Sequence, residues 1–155
     1  MVKLDRTDRR ILSELQCDGG ISNLDLADKV GLSPSPCSRR VKALTESGVI
    51  GKTVTLLDAK ALGLTLTALI HISMDRHTPE RFTLFEAAVA SFSEVQECLL
   101  ITGSDADYLL KVVVADMEAY QEFLLGKLTR VEGVTGVQSS FVMRKVVNTT
   151  ELPLP

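Results

Sequence analysis

The sequence predicts an α+β chain of two units, and three observations carry that prediction. Three short helical patterns, each closed by a turn signal, come first; strand and helix patterns then follow in the order βαββαβ; and the net charge changes sign between the two parts. The expected boundaries are residues 1–53 for the helical unit, 54–64 for a connector, and 65–155 for the mixed unit.

The first helix lies in "LDRTDRRILSELQ". Asp5 caps it, Asp8 suits its first turn, where the helix dipole is positive, and Ile11, Leu12 and Leu15 form one apolar stripe. After the turn "CDGG", the run "ISNLDLADKVG" repeats the design. Ser22 with Asp25 reads as a variant capping box, Leu26, Ala27 and Val30 as the buried face, and Gly31 as the stop.

The third helix, from about Ser33 to Ser47 with Gly48 beyond it, opens on two prolines. With Ser33 as N-cap, Pro34 and Pro36 fall in the first turn, where N–H groups have no intrahelical partner and the fixed φ of proline is already helical. Two helices joined by a tight glycine turn, behind a supporting helix, make a helix-turn-helix. "VIGKTVTLLD" then alternates as a short strand or wing does.

Beyond the connector "DAKALGL" the periodicity changes. "LTLTALIHISM" reads as a strand, "TPERFTLFEAAVASF" as a helix opened by Thr78 and Pro79, and "VQECLLIT" and "DYLLKVVVA" as strands. "DMEAYQEFLLGKL" is a helix and "GVQSSFVMRKVV" a last strand. A weak internal repeat, "SEVQEC" and "EGVTGVQS", supports two split βαβ units: a four-stranded antiparallel sheet with both helices on one face. Leu69, Leu109 and Val113 have the opposite parity to Val112 and Val114, so both sheet faces carry apolar groups. The face without helices is expected to be an oligomer interface.

Composition narrows the class. The 155 residues are 45% apolar and 24% charged, ordinary for a globular protein. The charged start "MVKLDRTDRR" is no signal sequence and no apolar run approaches a membrane span, so the expectation is a cytoplasmic protein with no membrane partner. Cys17, Cys37 and Cys98 are odd in number and form no CxxC pair, which suits core residues in a reducing compartment; no metal ligand set is expected. Residues 1–53 hold nine Lys/Arg against seven Asp/Glu, a net of +2, and the remainder eight against thirteen, a net of −5. A basic helical unit on an acidic body points the first unit alone at a polyanion.

At about 100° per residue, Cys37, Val41 and Leu44 share one face of the third helix, and Ser35, Arg39, Lys42 and Glu46 the other, with Ser38 and Arg40 on the flanks. A charged stripe is ordinarily a solvated face. On the second helix of a helix-turn-helix, in the basic part of the chain, it reads instead as a double-stranded DNA contact. Arg39 and Lys42 suit guanine edges; Ser33, Ser35 and Ser38, near the helix N-terminus, suit phosphate or base contact; Arg40, Lys52 and Arg9 suit phosphates.

"LDRTDRRILSELQ", "ISNLDLADKVGLSPSPCSRRVKAL", "GVI", "TGSDADYLLKVVVADMEAYQEFLLGKL" and "GVQSSFVMRKV" together resemble the Lrp/AsnC family of feast/famine transcriptional regulators, in order and over nearly the whole chain. The resemblance implies an N-terminal winged helix-turn-helix and a C-terminal βαββαβ, ferredoxin-like domain that senses an amino acid. It also implies a homodimer formed through the sheet and a higher assembly, commonly an octamer. One feature departs from the family pattern. Gly103 and Asp107 are separated by Ser104, Asp105 and Ala106, a loop one residue longer than usual.

The family binds its effector between subunits, near this loop and the last strand. The matching positions are Gly103, Ser104, Asp105, Asp107 and Tyr108, with Ser139 and Ser140. The chemistry fits: a carboxylate pairs the ligand's ammonium, and loop N–H groups or serine hydroxyls hold its carboxylate. Asp107 is the first choice for the ammonium and Asp105 the second. Resemblance to the leucine-responsive branch implies a small apolar effector such as leucine or methionine, and no other cofactor. Without the resemblance, Gly103-Ser-Asp is a polar turn.

Three other classes compete. An enzyme lacks support, since His71 and His77 have no nucleophile, metal spacing or glycine-rich phosphate loop beside them. An RNA-recognition module shares the βαββαβ order but needs stacking aromatics where "DYLLKVVVA" offers leucine and valine. The alternative that survives is an amino-acid-binding regulatory subunit controlling an enzyme by protein contact, which a gel-shift against DNA would separate from a transcription factor.

Overall fold

Helices near the start of the chain form where capping residues and apolar stripes coincide. The computed structural model describes residues 2–103 and 105–155. Helix α1 spans Arg6–Cys17, α2 Asn23–Val30 and α3 Pro34–Glu46. Asp5 and Asp8 close a reciprocal capping box on α1, each carboxylate accepting the other's backbone N–H, at 2.7 and 3.1 Å. At α2 the Ser22 hydroxyl accepts the Asp25 N–H, while the Asp25 carboxylate takes the Ser22 hydroxyl proton rather than its backbone N–H. Gly31 stops α2 at φ 71°, the left-handed conformation that an L side chain resists. Ser33 sits at the N-cap of α3 and Pro34 at its first position, but the Ser33 hydroxyl makes no capping bond.

The three helices enclose Ile11, Leu12, Leu26, Ala27, Val30, Cys37 and Leu44, with Leu15, Val41, Val49 and Ile50 packed around them. Residues 51–57, which the alternation marks as a strand, are unpaired in the single chain, and Val54, Leu56 and Leu57 are exposed. A strand needs a neighbour to supply its hydrogen bonds, and this chain offers none there among the described residues.

The second unit builds β1 (Leu66–Met74), α4 (Pro79–Ala90), β2 (Val95–Leu100), β3 (Tyr108–Val114), α5 (Met117–Gly126) and β4 (Val134–Phe141), with a 3₁₀ turn at Leu128–Arg130. The sheet is antiparallel in the order β2-β3-β1-β4. Thr78 and Asp116 cap α4 and α5 by accepting the N–H groups of Arg81 and Ala119. The last strand begins earlier than its sequence pattern and stops at Phe141 rather than Val147. Val142 donates its N–H to Thr67, and β1 begins at Leu66, so later residues have no rung to join.

Register decides which side chains face the helices. Ala68, Ile70, Ile72 and Met74 on β1 and Tyr108, Leu110, Val112 and Val114 on β3 form the buried row, against Phe85, Val89, Tyr120, Phe123 and Leu128. The opposite row is mixed rather than apolar. Leu69, Leu109 and Val113 stand with His71, Ser73 and Lys111, and Lys111 pairs with Glu97 at 3.3 Å.

By chain contacts the molecule divides into residues 1–56 with 147–155, and residues 57–146. The last nine residues, counted with the second unit on sequence, thus pack with the first.

Candidate nucleic-acid interface and ligand groove

Polar braces hold α2 and α3 in place. The Asn23 side-chain amide donates to the Pro34 carbonyl at 2.9 Å, joining the start of α2 to the start of α3, and Arg10 donates to the Lys29 carbonyl at the end of α2. Arg40 reaches back from α3 to Asp5 and Asp8, at 2.7 and 2.8 Å. The N–H of Asp8, followed by the Arg40 guanidinium, lowers the pKa of Asp5, and the same two carboxylates raise that of Arg40.

With the helix fixed in this way, its face divides as the periodicity implies. Cys37 and Leu44 are buried and burial pushes the Cys37 thiol pKa up. Ser33, Ser35, Ser38, Arg39 and Lys42 are exposed, as is Lys52 beyond the helix. Arg39 makes no ion pair among the described residues, and Lys42 makes only a loose one, 3.7 Å from Glu46. Arg40 differs: its charge is spent on the α1 cap, so it braces the helix rather than standing ready for a phosphate. Arg9 is likewise engaged, its guanidinium donating to a main-chain oxygen of Pro155.

The second candidate site lies on the helix-free face of the sheet. A groove of about 440 Å³ is lined by His71, Ser73, Asp105, Ala106, Gly136, Val137 and Gln138. The loop after β2 is tied to the end of β1 at three points. Asp107 donates its N–H to the Ile72 carbonyl, its carboxylate accepts the Met74 N–H at 2.7 Å, and the Ser73 hydroxyl donates to the Asp105 carbonyl. The other Asp107 oxygen lies 2.8 Å from His77 Nε2. Gly103 turns this loop at φ 88°.

The sequence candidates divide here. Asp105 lines the groove while Gly103, which turns its loop, does not, and the Asp105 side chain is exposed with no ion pair among the described residues. Asp107 has both oxygens occupied in holding the loop, which leaves Asp105 the better partner for a ligand cation. Tyr108 does not face the groove. Its ring is buried between Phe82 and Phe85 and its hydroxyl donates to Glu86 at 2.8 Å; burial, then Glu86, pushes its pKa well up. Ser139 shares that helix side and bonds the Tyr120 hydroxyl. Ser140, one residue on, pairs with Leu69 on the open face, four rungs along from the Ser73–Gly136 rung at the loop. Adjacent strand residues point to opposite faces, so these two serines cannot serve one site. Ser104 lies outside the described residues.

His71, Ser73, Gly136 and Gln138 were not among the sequence candidates. They are the open-face residues nearest the loop, and only the β1–β4 register, Ser73 opposite Gly136 and His71 opposite Gln138, brings them together.

A helix-turn-helix with an outward basic face, joined to a sheet domain with a polar groove, is the arrangement of a DNA-binding protein that carries a separate small-ligand domain. Residues 4–50 match the winged helix-turn-helix DNA-binding family, and residues 67–152 the Lrp/AsnC ligand binding domain. The chain is 42% identical to the transcriptional regulator AzlB of Bacillus subtilis, over 99% of this chain and 97% of that protein. It is 44% identical to the leucine-responsive regulatory protein of Escherichia coli K12, over 96% and 90%. Among solved structures, a transcriptional regulator of Neisseria meningitidis in complex with L-Met superposes with a TM-score of 0.93 at 40% identity, covering 97% of both chains. The chain belongs to the Lrp/AsnC family of transcriptional regulators. It is a DNA-binding regulator with an amino-acid-binding domain, and its relatives are regulators of transcription, not enzymes.

Proposed function

We propose that this chain regulates genes of amino-acid metabolism or transport in the cytoplasm, binding one small apolar amino acid as its effector. Arg39 and Lys42 read base edges in the major groove, Ser33, Ser35, Ser38 and Lys52 contact the backbone, and Arg40 keeps the reading helix at its angle. The effector, methionine or leucine, sits in the groove beside Ser73 and Gly136, with its ammonium at Asp105 and its carboxylate toward N–H groups of the Gly103 loop.

The observation that carries this reading is the groove itself, which joins a free carboxylate and a glycine-turned loop on a half-apolar sheet face. The complex of the Neisseria relative with L-Met favours methionine as the first ligand to try. A second copy covering the open face would close the groove between subunits, so the working form is a homodimer that assembles further, with an octamer as the form implied by the family resemblance.

Calorimetric titration of methionine and of leucine, with and without a selected operator fragment, tests the reading. A coupling of about 1–3 kcal/mol is expected, identical in size whichever ligand is added first. Equal affinities in the two titrations would leave a ligand site with no switch. Unchanged effector binding by Asp105→Ala would move the site elsewhere.

A further inference from the structure

Residues 147–155 belong to the same compact unit as residues 1–56, and they are seated on α1. The Gln16 side-chain amide holds their backbone at two points: its oxygen accepts the Leu152 N–H at 2.6 Å, and its nitrogen donates to the Leu152 carbonyl at 3.1 Å. Paired bonds of this kind fix the position and direction of an extended segment as a neighbouring strand would. Arg9 adds a bond to a main-chain oxygen of Pro155, and Leu154 packs on the Ile11 and Leu12 cluster.

The seat is nonetheless shallow. A groove of about 600 Å³ lined by Leu4, Leu12, Leu15, Val49 and Val54 surrounds the segment, and Leu152 stays 72% exposed. Contacts with few buried apolar groups and exposed hydrogen bonds open at the smallest cost. What the contact occupies gives it a consequence. Arg9 is one of the nine cations of the basic unit, and it is the one whose guanidinium the segment engages.

We propose that residues 147–155 are a detachable strap. Docked on α1, the strap withholds Arg9 from DNA phosphates; released, it frees Arg9 as one further phosphate contact. The proposal rests on the DNA-binding reading above, because it needs DNA within reach of α1.

The test is the salt dependence of DNA binding in two variants of the full protein. Ending the chain at Glu151 removes only uncharged side chains, and Gln16→Ala cuts both bonds to Leu152 while leaving the apolar cluster whole. Each phosphate neutralised on B-DNA adds about 0.9 to the slope of log affinity against log salt. Both variants should steepen the slope by up to about 0.9, roughly 3.5-fold in affinity for a fourfold change in salt. Arg9→Ala should return the shortened chain to the parent slope and leave the full-length chain unchanged. The strap is overturned if both variants keep the parent slope, or if Arg9→Ala flattens the slope equally with and without residues 152–155. Those failures leave DNA binding intact, whereas a parent with no salt-dependent binding would remove the underlying reading and the strap with it.

Discussion

The two units of this chain are held together by different means. In the helical unit the buried set is aliphatic apart from Cys37, and it is no larger than the inner faces of three short helices. The mixed unit buries Tyr108, Phe85, Tyr120 and Phe123 beneath a four-stranded sheet. A small core leaves little margin, and the helical unit supplements it with a capping box, the Arg40 brace, and the Lys29–Glu14 pair at 2.9 Å. Polar geometry sets the angle of the reading helix; packing sets the sheet that bears the groove. The two should therefore fail differently.

The largest effect belongs to packing. Leu110→Ala, at a fully buried sheet position, should cost about 2–5 kcal/mol in urea unfolding of the whole chain. A loss below 1 kcal/mol would mean that the sheet core is not what holds the second unit. Next comes the reading face: Arg39→Ala should lose about 1–3 kcal/mol of discrimination at one base pair while unfolding at the parent's urea midpoint. If every operator variant weakens equally, Arg39 touches phosphate instead.

Ser22→Ala removes the α2 cap and should cost about 1 kcal/mol, visible as a lower thermal midpoint. The smallest effect sharpens the electrostatic half of the comparison. Asp5 has its pKa lowered in the fold, so the stability it contributes is present above the ordinary carboxylate range and is lost as pH falls through the folded value. Asp5→Asn should blunt the acid sensitivity of α1 helicity seen by circular dichroism. An unchanged acid limb would place the sensitivity in another carboxylate.

Local chemistry made much of this legible from sequence. Asp5, Ser22, Gly31 and the prolines of α3 act within one helical turn of their own position, so their spacing is enough to read them. The βαββαβ order follows for the same reason. What the sequence did not hold was pairing. The alternation of residues 142–147 is that of a strand, but β1 starts only at Leu66 and offers them no partner, and no local signal records that. Arg40 looks like a phosphate ligand until Asp5 and Asp8, far away in sequence, are found at its tip. Asp107 and Tyr108 are neighbours in a recognisable loop, yet one is consumed by the Met74 N–H and His77 and the other turns into the core. Site residues chosen as a contiguous run are vulnerable to this wherever the run enters a strand.

The opposed serines of β4 carry that point into experiment. Ser139 looks toward the Tyr120 hydroxyl and Ser140 toward the open face, and the same alternation runs back through Gln138 and Val137. Saturation mutagenesis of residues 136–141, beyond the bulge that sets Val134 opposite Met74 in the core, should therefore give a two-beat record. Odd-numbered positions would lower soluble yield at every amino-acid concentration, and even-numbered positions would leave yield intact while changing how much amino acid is needed to alter transcription.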